Sequence, residues 1–547
     1  MRRLGGHVVA DQLVAQGVDT VFGVPGESFL TVLDGLWEQR DTIRFVTARH
    51  EATASHMAEA WGKLTGRPGI CLATRGPGAT QAAIGVHTAF QDSTPMILLL
   101  GQVERGHLGR EAFQEVDIEA MFAPLAKWAQ QIESADDIPA VMAQAFEIAL
   151  ADRPGPVVLA LPEDMQRDFT AAPDAPRVEP AWRMPDTAAL AELHGWLAEA
   201  ERPLLIVGGH RWDQATADTL AAWAGASGVS VAAQFRRQDR LDNTAAAYVG
   251  DLGLGCNPKL DARVRESDSV VLLGGRFGEI ASGGYTRLEI PKPTAGRLVH
   301  VHPEPSELGK VYRADLDICA AAPLVVEGLA RLGVLPPALR QAWADELRSD
   351  YLHWSEPTPR ELAGVDLASV VTHLRDTLPD DAVITNGAGN YTVWIHRYYR
   401  HRAFGTQLAP TSGAMGYGIP AAIAAALHDR SRTVVAFAGD GCFQMAGHEL
   451  ATAIQEQLRL VVLVCDNGML GTIRMHQERS YPGHVEGTTL VNPDFVQLAE
   501  AYGCHAERVD CDGDFPAAFA RALAAERTAL IHLVCDPHAI TPGGLLP

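Results

Sequence analysis

A short, wholly apolar run closed by glycine, proline or threonine recurs along this chain, with helix-like segments between successive runs. TIRFVTA (42–48), PGICLAT (68–74), PMILLLGQ (95–102) and PGPVVLALPED (154–164) come first. LLIVGGH (204–210), SVVLLGGRF (269–277) and LVHVHPEP (298–305) follow, then AVIT (382–385), TVVAFAGD (433–440), LVVLVCDN (460–467) and ALIHLVC (529–535). Runs without polar alternation suit strands buried on both faces, the situation in a parallel sheet covered by helices. FTAAPDAPRVEPAWRMPDT (169–187) has no periodicity and reads as a linker; 333–361 reads as a second loose region. The sequence therefore predicts an α/β chain of three doubly wound parallel-sheet domains, at 1–170, 186–335 and 360–547. A length of 547 residues agrees, being too great for one core. RGPGATQAAIGVHTAFQDSTPMILLLGQ and TSGAMGYGIPAAIAAALHDRSRTVVAFAGD each run from a glycine turn through an alanine-rich helix to a strand, a faint echo between the first and third blocks.

Charge and hydropathy exclude some partners. A formal charge of −22 repels nucleic acid and anionic membrane, so neither is expected. No apolar run reaches the roughly 18 residues of a spanning helix. MRRLGGHVVADQLVAQG lacks a long apolar core followed by a cleavage site and reads as an amphipathic helix, so a cytoplasmic location is expected. Cysteines 71, 256, 319, 442, 465, 504, 511 and 535 show no CxxC or metal-ligand spacing and are expected to be buried, reduced thiols.

The main chemical signal is GDGCFQM (439–445) followed by CDNGMLG (465–471). Asp440 ends one apolar run, 446–458 has helical character, and Asn467 ends the next run. Strand, helix, strand in so short a span is a βαβ unit, whose parallel strands bring both carboxyl ends to one sheet edge. A carboxylate with an amide oxygen suits Mg²⁺ or Ca²⁺ rather than zinc. Two side chains are too few for a closed cage, which implies phosphate oxygens as further ligands. Gly439 and Gly441 would admit such a phosphate, and the amides of Gly441 and Cys442 could donate to it. Without a ligand the same residues make a tight turn and an Asx turn.

GDG, a span of just under thirty residues and a terminal Asn resemble the diphosphate–Mg²⁺ signature of thiamine diphosphate (ThDP) enzymes. The resemblance is nearly end to end and is strongest to the acetohydroxyacid synthase, pyruvate oxidase and benzoylformate decarboxylase group. It rests on RHEATASHMAEAWGKLTGRPGICLATRGPGATQ (49–81), GGRFGEI, HVHPEPSELGK and TSGAMGYGIPAA, in the family's order. It implies a pyrimidine-binding first domain, a Rossmann-like central domain and a diphosphate-binding third domain. Glu51 in RHEA then matches the catalytic glutamate at the aminopyrimidine, and Met415 the residue that bends the cofactor. Gly413 would offer its carbonyl to the pyrimidine, while Asp440, Asn467 and the Met469 carbonyl match the Mg²⁺ ligands. Gly389 and Asn390 in NGAGN fall at the diphosphate contacts, although that loop's usual aspartate is Gly387 here. In this family the two ends of the cofactor bind different subunits, which implies a homodimer at least and a homotetramer as the expected state.

The resemblance implies decarboxylation of a 2-oxo acid, with ligation of the resulting carbanion to a second carbonyl, as in acetolactate synthases. Simple decarboxylation, or aldehyde lysis, is the enzyme alternative, and a degenerate cofactor-binding scaffold the non-enzyme one. EAFQEVD (111–117) resembles the synthases' substrate-side stretch, which assigns Phe113 and Gln114; Arg276 in GGRF matches another of their residues. No adjacent pair of histidines, typical of pyruvate decarboxylases, precedes that stretch. Two departures stand against these matches. His476 occupies the place of an acceptor-sorting tryptophan and reads either as an acid/base or as a polar lining residue. The segment 235–255 differs from the family's flavin contacts, so FAD, another nucleotide or a plain scaffold remain open for the central domain. His87, His107 and His210 have no motif and read as surface or satisfied polar positions.

Overall fold

The computed structural model describes residues 2–293 and 295–546. Three six-stranded sheets follow one another along the chain, and every strand pair within them is parallel. The first contains β1 (Thr20–Gly23), β2 (Arg44–Thr47), β3 (Gly69–Ala73), β4 (Met96–Gln102), β5 (Trp128–Gln131) and β6 (Pro156–Pro162), in the order β2-β1-β3-β4-β6-β5. The central sheet has β7 (Pro203–Val207), β8 (Ser230–Gln234), β9 (Tyr248–Leu252), β10 (Ser269–Leu273), β11 (Arg297–Val301) and β12 (Leu316–Ile318), in the order β9-β8-β7-β10-β11-β12. The third has β13 (Val383–Asn386), β14 (Gln407–Leu408), β15 (Val434–Gly439), β16 (Val461–Asp466), β17 (His505–Val509) and β18 (Ala529–Val534), in the order β14-β13-β15-β16-β18-β17.

The first and third sheets thus repeat one topology, and the echo between their sequences has a structural counterpart. In such open sheets the order reverses at a switch point, where a crevice opens beyond the carboxyl ends of the strands. β1/β3 and β13/β15 are the two equivalent switch points. The apolar runs become strands because helices cover both faces, leaving β3, β4 and β6 buried throughout. Edge strands escaped the apolar pattern: β5 reads WAQQ and β17 HAERV, both largely half-buried with one side toward water.

Three local expectations change. Residues 333–361, expected to be loose, contain the helix Gln341–Trp354, because Trp343, Leu347 and Tyr351 recur every four residues and bury one face. The segment expected as one helix over 446–458 is a 3-10 turn, Gly447–Glu449, followed by the short helix Leu450–Gln455, and a separate helix Asp440–Gln444 precedes it. Buried Glu449 pins the turn, its Oε1 accepting from the Arg49 amide at 2.8 Å and from Thr53 Oγ1 at 2.5 Å. All eight cysteines are free as expected, but only Cys71, Cys442, Cys465 and Cys504 are buried and Cys511 is exposed.

The first and third domains share one core. Met57 and Trp61 of helix Glu51–Thr65 belong to the same buried cluster as Ile419 and Ile423 of helix Gly418–His428. At its edge, Asp92 joins all three domains. It accepts from Lys63 Nζ at 2.7 Å, from the Thr411 amide at 2.9 Å and from the Thr411 hydroxyl, and Arg237 lies 3.4 Å away. Burial alone would raise the Asp92 carboxyl, but Lys63 and Arg237 hold it well below the ordinary range. Asp92→Ala, leaving buried Arg237 without a carboxylate and Lys63 with Glu59 alone at 3.1 Å, is expected to cost about 3–5 kcal/mol. Because the folded carboxyl lies below its unfolded value, this contribution is complete above about pH 4 and fades as pH falls further. Thermal unfolding of the variant across pH checks this; an unchanged midpoint near neutral pH would contradict it.

Candidate active site

β15 and β16 are neighbours, with Gly439 opposite Cys465. Asp440 and Asp466–Asn467 therefore emerge side by side at one sheet edge. Asp440 opens helix Asp440–Gln444 directly after its strand and is only 3% exposed. Its Oδ1 accepts from the Gly441 amide at 2.9 Å and its Oδ2 from Asn492 Nδ2 at 2.8 Å. The same Asn492 nitrogen reaches Asp466 Oδ1 at 2.8 Å, and Asp466 Oδ2 meets His532 Nε2 at 2.9 Å. Burial pushes the Asp440 carboxyl up to about 6; bonds from Asn492 and Gly441 oppose this, and the neighbouring Asp466 adds to it. A buried and a half-buried carboxylate bridged by a neutral amide form a site short of positive charge.

Asp440 and Asn467 line one cleft of about 290 Å³, together with Gly389, Asn390, Gly413 and Met415. Gly441, Cys442 and Met469 line it too, so every predicted diphosphate and metal residue of the third domain converges there. The turn carrying Met469 is fixed by the Leu470 amide to Thr488 O and the Leu490 amide to Gly468 O, both at 2.8 Å. Asn390 Oδ1 accepts from Thr472 Oγ1 at 2.8 Å, tying the NGAGN loop to helix Gly471–Ser480. Gly413 has φ +71, a conformation that favours glycine, and its amide donates to Pro410 O at 3.1 Å. Hard oxygen donors, a deficit of positive charge and cleft walls built from the apolar Trp394, Leu470 and Ile540 fit a divalent cation with a diphosphate-bearing organic group.

Glu51 belongs to a different edge. It opens helix Glu51–Thr65 after β2, half-buried, behind the His50 cap whose Nδ1 accepts from the Ala52 amide at 3.1 Å. Phe113 and Gln114 come close to the same place: Arg75 Nε donates to Phe113 O at 3.3 Å, and Gln114, at φ +65, packs its carbonyl against Gly76. None of these three lines the third-domain cleft. Phe113 is 77% exposed, unusual for so apolar a side chain. His476 is also exposed, on the helix whose first turn walls the cleft but outside the cleft itself.

A second cleft of about 310 Å³ opens past the carboxyl ends of β7 and β10, with Arg153, Arg211, Arg237 and Arg276 at its walls. Arg211 Nη2 and Gln234 Nε2 are buried there without a partner among the described residues. Arg276 donates to Gln91 O at 2.6 Å, and burial lowers it to about 10. His210, expected at a surface or satisfied position, lines this cleft instead, and burial beside Arg237 and Arg240 drives it well below the usual imidazole range. His87 and His107 are exposed.

Asp466 and Asn492 were not singled out from sequence. Asp466 stood beside the predicted ligand in CDN, whereas Asn492 was hidden in VNPDF, where Asp494 carries the ordinary signal of a helix cap. The departure at Gly387 also finds its cause: a Cβ there would lie 2.5 Å from Cys442 Sγ. That thiol accepts from the Gly416 amide at 3.0 Å and fills the space an aspartate would need. Gly387→Asp alone is expected to destabilise the protein by about 1–3 kcal/mol, and Cys442→Ala in the same chain to recover part of the loss. Additive losses in a denaturation series of both singles and the double would contradict this.

Comparison with known proteins agrees with this geometry. Models of the thiamine pyrophosphate enzyme N-terminal TPP binding domain, central domain and C-terminal TPP binding domain match residues 3–121, 190–329 and 387–533. The acetolactate synthase isozyme 2 large subunit of Escherichia coli (strain K12) is 30% identical over 543 residues, covering 97% of this chain and 95% of that one. The acetolactate synthase of Mycobacterium bovis is 32% identical over 528 residues, 93% of this chain and 84% of that one. The acetolactate synthase large subunit of Parasynechococcus marenigrum is 31% identical over 515 residues, 91% and 82%. The chain belongs to the thiamine pyrophosphate enzyme family.

Proposed function

We propose that this protein is a ThDP- and Mg²⁺-dependent enzyme that decarboxylates a 2-oxo acid and joins the remaining fragment to a second carbonyl, in the manner of an acetolactate synthase. The observation that carries this reading is the convergence of Asp440, Asn467, Met469 and Met415 on one cleft at the β13/β15 switch point. When bound, ThDP supplies a carbon nucleophile at thiazolium C2 and holds the electron pair left by loss of CO₂. Asp440, the Asn467 amide oxygen and the Met469 carbonyl would hold the Mg²⁺, and the amides of Gly441 and Cys442 the diphosphate. Gly389 and Asn390 would border it, Met415 would wedge the cofactor into its bent shape, and the Gly413 carbonyl would accept from the pyrimidine.

Glu51 would hold a proton at the aminopyrimidine N1′, its half-buried place at a helix start making it an effective partner. Gln114 and Phe113 would line the substrate, with His476 on the acceptor side. Since Glu51 lies outside its own chain's cleft, a second copy would supply it, which supports a homodimer at least; a cytoplasmic homotetramer, the state the family resemblance and the sequence imply, is taken as the working form. Exposed Phe113, Met445 and Ile473 suit burial between such copies. No described helix is long and apolar enough to cross a membrane. We take the units as 1–170, 186–335 and 360–547. The four arginines and unpartnered donors of the central cleft fit a phosphate-bearing nucleotide, with FAD the first ligand to test.

Assays of a panel of 2-oxo acids with ThDP and Mg²⁺, with and without FAD, are expected to release CO₂ and a ligated hydroxyketo product. Free aldehyde alone would point to simple decarboxylation, and no turnover of any 2-oxo acid would overturn the reading. Glu51→Gln is expected to keep cofactor binding while proton exchange at C2, followed by NMR, falls about 10²–10⁴-fold. Unchanged exchange in that variant would remove Glu51 from its role.

A further inference from the structure

Asn492 belongs to none of the motifs that mark the site, yet its side chain turns back from the start of helix Phe495–Ala501 to the edge of the third sheet. Its Nδ2 donates to Asp440 Oδ2 and to Asp466 Oδ1, each at 2.8 Å, while its Oδ1 accepts from Gln444 Nε2 at 2.8 Å. Both donors and the acceptor are therefore taken, by Asp440 and Gln444 from the helix Asp440–Gln444 and by Asp466 from the end of β16. An amide held on three sides has one orientation, and it transmits that orientation to the carboxylate it bonds.

We propose that Asn492 is a positioning residue for cation binding, fixing the Asp440 carboxylate in the orientation the metal requires. This rests on the reading of Asp440 and Asn467 as metal ligands. The Gly441 amide holds Asp440 Oδ1 and Asn492 holds Oδ2, so the carboxylate cannot rotate, and each oxygen keeps a lone pair for a cation. The bridging group is neutral. A lysine or arginine between Asp440 and Asp466 would hold them together but cancel the charge that attracts a divalent ion. An amide holds them and leaves the charge in place. His532 steadies the far oxygen of Asp466 at 2.9 Å, so the second carboxylate is fixed from behind as well. Gln444, exposed on the helix that begins with Asp440, completes the clamp by setting which way the Asn492 amide faces.

The opposite role is physically distinct: an NH₂ between two carboxylates could stand in for the cation and have to leave before it binds. The two roles differ in sign. Free Mn²⁺, measured by electron paramagnetic resonance, can be titrated against the full-length protein at saturating ThDP. Asn492→Leu, similar in size but without donors, and Asn492→Ala are both expected to weaken Mn²⁺ binding about 10–100-fold. Gln444→Met is expected to weaken it several-fold in the same direction, from a position too exposed to disturb folding. ThDP affinity at saturating Mn²⁺ is expected to stay within about two-fold of the parent protein, which a general collapse of the loop would not allow. Unchanged or tighter Mn²⁺ binding in both Asn492 variants would overturn the proposal, and tighter binding would assign the amide as a plug. Parallel losses of Mn²⁺ and ThDP affinity would overturn it too. If the unmodified protein showed no metal-dependent ThDP binding, the metal-site reading itself would fall and this proposal with it.

Discussion

One buried carboxylate, Asp92, fixes how the three domains meet. Lys63 reaches it from the first domain, Arg237 from the central domain and Thr411 from the third, at a point closed to water. A buried charge is tolerated only when its partners hold fixed positions, so the junction defines a single arrangement of the sheets. Beside it the first and third domains merge their apolar side chains into one core, with helices Glu51–Thr65 and Gly418–His428 face to face. Glu51 begins the first of these helices, and Gly413 and Met415 lie in the loop that leads into the second. Functional residues on both edges are therefore mounted on packed helices.

The repeated topology explains why there are two edges to use. Sheets one and three reverse direction at equivalent places, and each switch point offers a crevice. One edge presents Glu51 with Gln114 and Phe113, the other the Asp440–Asp466 pair with Asn467. Within one chain they do not line a common cleft. The chemistry proposed here needs a proton-holding carboxyl at one end of the cofactor and a cation at the other. Two copies with crossed edges would supply both.

Much of this was legible because parallel sheets buried on both faces write themselves as unbroken apolar runs. β3, β4, β6, β15, β16 and β18 were all visible in that way. The edge strands β5 and β17 were not, since half-exposed strands carry polar residues that erase the run. The helix Gln341–Trp354 was missed for a different reason: prolines and charges dominate its surroundings, although Trp343, Leu347 and Tyr351 kept a helical spacing. At the site, Asp440 and Asn467 could be paired because a βαβ unit constrains where two strand ends go. Asn492 could not, because its contact with Asp440 spans 52 residues through a loop that no periodicity describes. Gly387 was read as a departure from the family, and only the position of Cys442 Sγ shows that the two residues share one space.

We propose that catalysis requires Glu51 from one copy and Asp440 from another. Mixing Glu51→Gln chains with Asp440→Ala chains, after dissociation and reassembly, tests it most directly. Each variant alone should be inactive. Random pairing should place one intact site in each mixed dimer, restoring about a quarter of full activity. Recovery to that level is the expected result; activity no higher than that of the separate variants would contradict the account.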